Sequence, residues 1–188
     1  MPKRADPVER RQQVVAALYR VVDAEGLDAA SLPRIARELN ATTGLLQKYF
    51  RSKDELLLFA QDQLVEELTT SVQAVLAQEG SLKDRLHKAL CVIALVDDAA
   101  RARVWLAFAA RAAANPVLLQ RHVEGAWVIR DLCRRMLEAE GLDGGEAVGL
   151  AALVDGVTAQ RALEPEVMTE DVAERVIGRH LERLWGNE

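Results

Sequence analysis

The chain has 188 residues, half of them apolar and only 4% aromatic, which excludes a disordered chain and favours helix over strand. Its net charge of −5 is uneven: residues 1–60 carry +2 and the remainder −7, so an anionic partner is expected for the first part alone. No apolar run approaches the roughly 18 residues of a membrane span, and Cys91 and Cys133 form neither CxxC nor a metal spacing. The opening "MPKRADPVERRQQ" has no apolar signal core behind it. A reduced, soluble, cytoplasmic protein without membrane contact is the expectation.

Helix punctuation then recurs along the chain. Asp6 is an N-cap, with Pro7 in the first helical position and Glu9 as capping-box partner. Val14, Leu18, Val21 and Val22 follow at helical spacing, and the run ends near Gly26. Ser31 caps a short helix with Pro33 in its first turn, burying Leu32, Ile35, Ala36 and Leu39. Thr42 caps a third that ends near Tyr49. Ser52 and Glu55 form a second capping box, opening a long helix to about Gln78. Ser81 starts the next, and another begins near Asp98 and stops at Asn115–Pro116, where the pre-proline residue resists helical geometry. Further helices run from Pro116 towards Gly141, from Gly145 to Leu163 and from Thr169 to Trp185. The pattern predicts an all-α fold of about nine helices and no strand.

The segment "LNATTGLLQKYFRSKDELL", residues 39–57, does not read as core. Three short helices in the first 50 residues fit a helix-turn-helix head, whose second helix lies in the DNA major groove. Small polar residues are needed where that helix meets base edges. Thr42 and Thr43 supply hydroxyls and methyl groups for this, and Gly44 lets the backbone approach. Asn40 sits in the turn, where a left-handed conformation is needed and Asn tolerates it. Lys48 and Lys53 are placed to neutralise phosphates, and the helix start at Ser52 can face one through its amides. Between Ala29 and Lys53 the bases Arg34, Arg37, Lys48, Arg51 and Lys53 face a single acid, Glu38. An ordinary polar turn between core helices is the competing reading.

These residues resemble the DNA-binding head of the TetR family of transcriptional repressors. The resemblance rests on Ser31, Ile35-Ala36, Thr42, Gly44, Leu46, Tyr49-Phe50, Ser52-Lys53-Asp54 and Leu56, about the first third of the chain. It implies DNA contacts from Ser31, Thr42, Thr43, Gly44, Leu45, Gln47, Lys48, Tyr49 and Lys53. Two positions depart from the family pattern. Asn40 replaces a turn glycine, and Gln47 replaces a tyrosine, keeping a hydrogen bond but losing ring packing. The second half of the chain is similar to the BetI-type C-terminal domain, a branch named for a choline-responsive repressor. The resemblance implies a DNA-binding domain at 1–50, a ligand-binding and dimerisation domain at 51–188, and release from DNA by a small-molecule effector.

Trp105 and Phe108 lie three apart on one helix and Trp127 on the next, a spacing that fits either core packing or a pocket wall. As a wall they would be joined by polar groups from Arg101, Arg111, Asp155 and Gln160; the aromatics suit a quaternary ammonium, the arginines an anion. The site expected for the effector is Trp105, Phe108, Arg111, Trp127 and Asp155. In the penultimate helix Gly149, Ala152, Gly156 and Ala159 form one small-residue face, and the last helix offers Ala173, Val176, Ile177, His180, Leu181 and Leu184 as a stripe. Together these two helices are the expected homodimer interface. His87 and Cys91 share a helix face without further ligands, and no nucleophile–base pair has supporting context, so neither a metal, a cofactor nor catalysis is expected. The rival reading is a helical regulator whose C-terminal domain binds a protein partner; a sizeable pocket would count against it.

Overall fold

The computed structural model describes residues 6–95 and 99–186. Short polar side chains start most of the helices by accepting from an orphan amide of the first turn. Asp6 caps α1 (Pro7–Glu25), Ser31 caps α2 (Leu32–Glu38), Thr42 caps α3 (Thr43–Leu46) and Ser52 caps α4 (Lys53–Leu76). Ser81 caps α5 (Leu82–Ala94), Asn115 caps α7 (Pro116–Ala139) and Thr169 caps α9 (Glu170–Trp185). The sixth helix, α6, spans Ala99–Ala112; its expected start near Asp98 lies outside the described residues. The eighth, α8 (Ala147–Leu163), has no side-chain cap of its own and grows from a 3₁₀ turn, Gly144–Glu146, which Asp143 caps. No strand occurs among the described residues.

Helix ends are equally local. After α2 the Ala41 amide donates to the Ala36 carbonyl at 2.9 Å and the Asn40 amide to the Arg37 carbonyl at 3.0 Å. Asn40 itself has φ 50°, the left-handed state expected from sequence, so this is a Schellman end built on asparagine. The same pair of bonds closes α7 at Gly141, φ 76°. Two local details differ from expectation. The third helix is α-helical only to Leu46, after which Lys48 and Tyr49 donate three residues back; the tighter turn carries Phe50 into the core beside Phe59, ring centroids 5.5 Å apart. And Glu55 reaches past Ser52 to the Arg51 amide, at 2.7 Å, while still lending its own amide to the Ser52 hydroxyl.

Two apolar cores form. The first gathers Val14, Leu18 and Val22 of α1, Ile35 of α2, Leu46, Phe50, and Leu56 and Leu57 of α4. It also takes Val104, Phe108 and Ala112 of α6 and Leu118 of α7. The second gathers Leu86 and Leu90 of α5, Cys133 and Leu137 of α7, Leu150 and Val154 of α8, and Ala173, Ile177 and Leu181 of α9. The first core is therefore not confined to the head: α6 is buried in it along one side.

Candidate nucleic-acid interface and ligand cavity

The third helix presents Thr42, Gly44, Leu45, Gln47 and Lys48 to solvent, with Thr43 and Tyr49 half-buried and Leu46 turned inward. Leu46 and Phe50 anchor the helix, and the outward residues are small or polar apart from Leu45. Thr42 has two tasks. Its hydroxyl oxygen accepts the Leu45 amide at 3.2 Å, leaving its proton free for a further acceptor. Ser31 likewise spends its oxygen on the Arg34 amide, at 3.3 Å.

The basic groups expected to meet phosphate divide into two sets. Arg34 is committed to the head itself, bonded to Glu25 at 2.5 Å and to Glu38 at 3.2 Å; its hydrogen bond from Arg34 is the chief reason the Glu25 carboxyl lies below its ordinary value. Lys53 is also turned inward. Its ammonium donates to the Leu27 carbonyl at 2.7 Å, and burial, then the nearby Arg111 guanidinium, lower its pKa. Lys53 therefore ties α4 to the loop after α1 through one of its three donors, so that it is less free for a phosphate than its position in the sequence suggests. Arg37, Lys48 and Arg51 remain exposed, without a salt bridge among the described residues. These three carry the usable positive charge of the face.

A cavity of about 250 Å³ lies in the C-terminal part. One wall is a full face of α4: Gln61, Leu64, Val65, Leu68, Thr69 and Val72, continuing to Gln73 and Leu76. Their spacing of three and one, repeated, is one side of a helix. Trp105 of α6, Asp155 and Thr158 of α8, and a strip of α7 that includes His122, Ile129 and Leu132 complete it. Burial lifts the Asp155 carboxyl above the ordinary aspartate value, against the opposing pull of His122 and Arg130. A second cleft, about 480 Å³, is more open and is bordered by Glu67, Lys88, Arg101, Glu170 and Glu174. Its charged rim and openness suit it less to enclosing a small molecule.

Of the residues expected around an effector, Trp105 and Asp155 line this first cavity and three others do not. Phe108 is fully buried in the head-side core. Three residues along a helix leave side chains only about 60° apart, so spacing does not separate them; the packing of α6 between cavity and head does, with Trp105 on the lining and Phe108 in the head-side core. Arg111 pairs with Asp54, and Arg101 with Glu67, which removes both as free ligands for an anion. Trp127 is 59% exposed, because α7 turns Gly125, Ala126, Val128 and Ile129 to the cavity and Trp127 away. Gln160 is exposed and outside the lining. The sequence reading did not assign the α4 face to the site; its signal was the apolar series Leu64, Leu68, Val72 and Leu76 in the long helix after Ser52.

The histidine and cysteine pair expected to share a face is structural. His87 Nε2 lies 3.1 Å from the Glu174 carbonyl, and Gly178 leaves room for the ring. Burial pushes the Cys91 thiol up to about 11 and the Cys133 thiol to about 12, so both stay protonated near neutrality. Among the described residues no three His, Cys, Asp or Glu side chains gather as a metal site, and no helix is long and apolar enough to cross a membrane.

A capped three-helix head with an exposed polar recognition helix, fused through α4 to a helical domain that holds a cavity, has the architecture of a helix-turn-helix transcriptional regulator. Residues 14–59 match the model of bacterial regulatory proteins of the tetR family, and residues 82–186 that of the BetI-type transcriptional repressor C-terminal domain. The chain belongs to the TetR family of transcriptional regulators, with a C-terminal domain of the BetI type. It is 30% identical to the HTH-type transcriptional regulator PksA of Bacillus subtilis (strain 168), over 98% of this chain and 94% of that one. A transcriptional regulator from Rhodococcus sp. Rha1 superposes with a TM-score of 0.83 at 26% identity, covering 94% of this chain and 96% of that one. A regulator from Saccharomonospora viridis in complex with choline has the same fold, with a TM-score of 0.79 at 20% identity over 93% and 96% of the two chains. The family and these relatives are regulators, not enzymes.

Proposed function

We propose that the protein is a repressor that binds a near-palindromic operator as a homodimer and is released by a small-molecule effector in the α4–α8 cavity. One observation carries the switch: α6 belongs to both compartments. It puts Trp105 on the cavity wall and Val104 and Phe108 in the head's core. Its arginines reach the head and the connector as well: Arg103 to Asp23 of α1 at 2.5 Å, Arg111 to Asp54 and Arg101 to Glu67 of α4. A ligand that displaces Trp105 or the α4 face shifts a helix keyed into the head. Two heads reading half-sites about one helical turn or a little more apart tolerate little change in their separation.

Assembly follows from the free face of α8. Gly149, Ala152 and Gly156 are exposed, and a Cβ at Gly156 would meet nothing within 4 Å of its own subunit. Two glycines inside a helix cost about 1 kcal/mol each relative to alanine, a cost without return in the monomer. Close approach of a second copy supplies the return. In α9, Ala173, Ile177 and Leu181 are fully used inside the subunit, while Val176 and Leu184 pack against that core only in part, and with the half-buried His180 they form the flank we assign to the two-fold contact.

The choline bound by the S. viridis neighbour supports a small-molecule role for such a domain. So does the largely apolar, partly open cavity, which a domain built only to grip a protein partner would not need. The test is selection of bound duplexes from a random library, followed by sedimentation of the complex. A near-palindrome bound by two copies is the expected result. A single asymmetric site bound by one copy would reject the reading.

A further inference from the structure

The polar equipment of the cavity is biased in one direction. The Thr158 hydroxyl of α8 donates to the Val154 carbonyl at 3.0 Å, and the Thr69 hydroxyl of α4 donates to the Val65 carbonyl at 2.7 Å. A hydroxyl has a single proton, so both offer a ligand only lone pairs. Asp155, three residues from Thr158 on the same helical face, is the one acidic side chain of the lining among the described residues, and when ionised it can only accept. Gln61, Gln73 and His122 can each present a donor or an acceptor and adapt to a ligand rather than select it.

Charge pairing points the same way. Arg135 is the lining's arginine, and its guanidinium is matched by Asp131 at 3.0 Å. His122 and Arg130 act on Asp155 electrostatically, yet neither forms a salt bridge to it among the described residues. The burial cost of the Asp155 carboxylate outweighs their help, as its raised pKa records. A half-buried carboxylate short of compensation is stabilised by a cation delivered to it.

We propose that the cavity selects an amphiphilic primary or secondary ammonium ion, its apolar body against Leu64, Leu68, Val72, Ile129 and Leu132 and its N–H group held by the Asp155 carboxylate and the Thr158 hydroxyl oxygen. An anion would meet Asp155 and hydroxyls whose protons are already spent. A quaternary ammonium has no N–H to give these acceptors, and among the described residues Trp105 is the lining's one Trp, Tyr or Phe ring, whereas cages for such ions use several. The space, about 250 Å³, exceeds the roughly 150 Å³ that admits a benzene ring, so a medium alkyl chain or a ring with a side arm fits. The inference rests on the reading of this cavity as the effector site.

Four probes of one chain length separate the possibilities by calorimetry on the full chain at neutral pH: octylamine, octyltrimethylammonium, octanol and octanoate. Octylamine should bind tightest and octanoate weakest. Asp155→Asn should lower octylamine affinity roughly 10- to 100-fold, the weight of a charge-assisted hydrogen bond, and leave octanol unchanged. The variant is close to isosteric, and a thermal melt at or above that of the parent shows that it folds. Octanoate or octyltrimethylammonium binding as tightly as octylamine overturns the inference, as does an unchanged octylamine affinity in Asp155→Asn; octanol binding in either case keeps the cavity as a ligand site. Failure of all four probes rejects the cavity as an effector site and the inference with it.

Discussion

In the head, Arg34 holds both Glu25 and Glu38, Arg20 holds Glu38, and Lys53 holds the Leu27 carbonyl. In the cavity, Asp155 is half-buried with no salt bridge among the described residues, and the hydroxyls of Thr69 and Thr158 are turned back on their own helices. The head is closed on itself, so that its recognition helix is a fixed shape. The cavity keeps polar capacity in reserve, so that its energy depends on what enters. A reader needs the first arrangement and a sensor the second, and α6 is packed against both.

The largest effect expected is at that junction. Phe108→Ala removes a fully buried ring from the head-side core and should cost about 3–5 kcal/mol in denaturant unfolding. Because Phe108 faces the head, octylamine affinity of the folded variant should match the parent; a selective loss of ligand affinity would return Phe108 to the cavity wall. Next, Thr43→Ala and Gln47→Ala should each relax base preference at one position per half-site, by roughly 1–3 kcal/mol per lost base contact. Binding to a panel of single-base operator variants checks this.

Gly156→Leu tests the proposed interface at a similar magnitude, since overpacking costs about 1–3 kcal/mol and the two-fold axis applies it twice. A side chain there has open space within the subunit, so the expected outcome in sedimentation is a folded monomer. A fully dimeric variant would place the interface elsewhere. Lys48→Ala against Lys53→Ala sharpens the division of the basic residues. The first should weaken all sequences alike and lower the salt slope by about 1. The second should leave the slope unchanged and reduce stability.

The smallest effect is a pH signature. The folded-state pKa of Asp155 lies above its unfolded value. The ionised carboxylate therefore destabilises the fold above the folded pKa, and the penalty vanishes below the unfolded pKa, where both states are protonated. Asp155→Asn should raise the melting temperature at neutral pH and lose that advantage on acidification. A variant less stable than the parent at neutral pH would mean that Asp155 is a satisfied structural group.

The head was the more legible region because its determinants are local. Caps at Ser31, Thr42 and Ser52 and the left-handed turn at Asn40 are set by residues within a few positions of each other. The sequence pattern could not say where long side chains end. Lys53 carries the charge of a phosphate ligand, but its ammonium lies on a carbonyl 26 residues earlier in the chain. The cavity depends on which sides of four or five helices meet, and spacing within one helix does not decide that. Trp105 and Asp155 were recognisable as polar or aromatic interruptions of apolar runs. Phe108 and Trp127 had the same local signature and were turned elsewhere by packing.

The central claim is that cavity and head are coupled through α6 and α4. The most direct measurement is the octylamine affinity of the full chain, followed through tryptophan fluorescence, with and without a saturating operator duplex. Linkage requires the two affinities to differ by the factor by which octylamine weakens operator binding, roughly 5- to 150-fold for couplings of this kind. Equal octylamine affinity in the two conditions would contradict the account, however tightly octylamine binds.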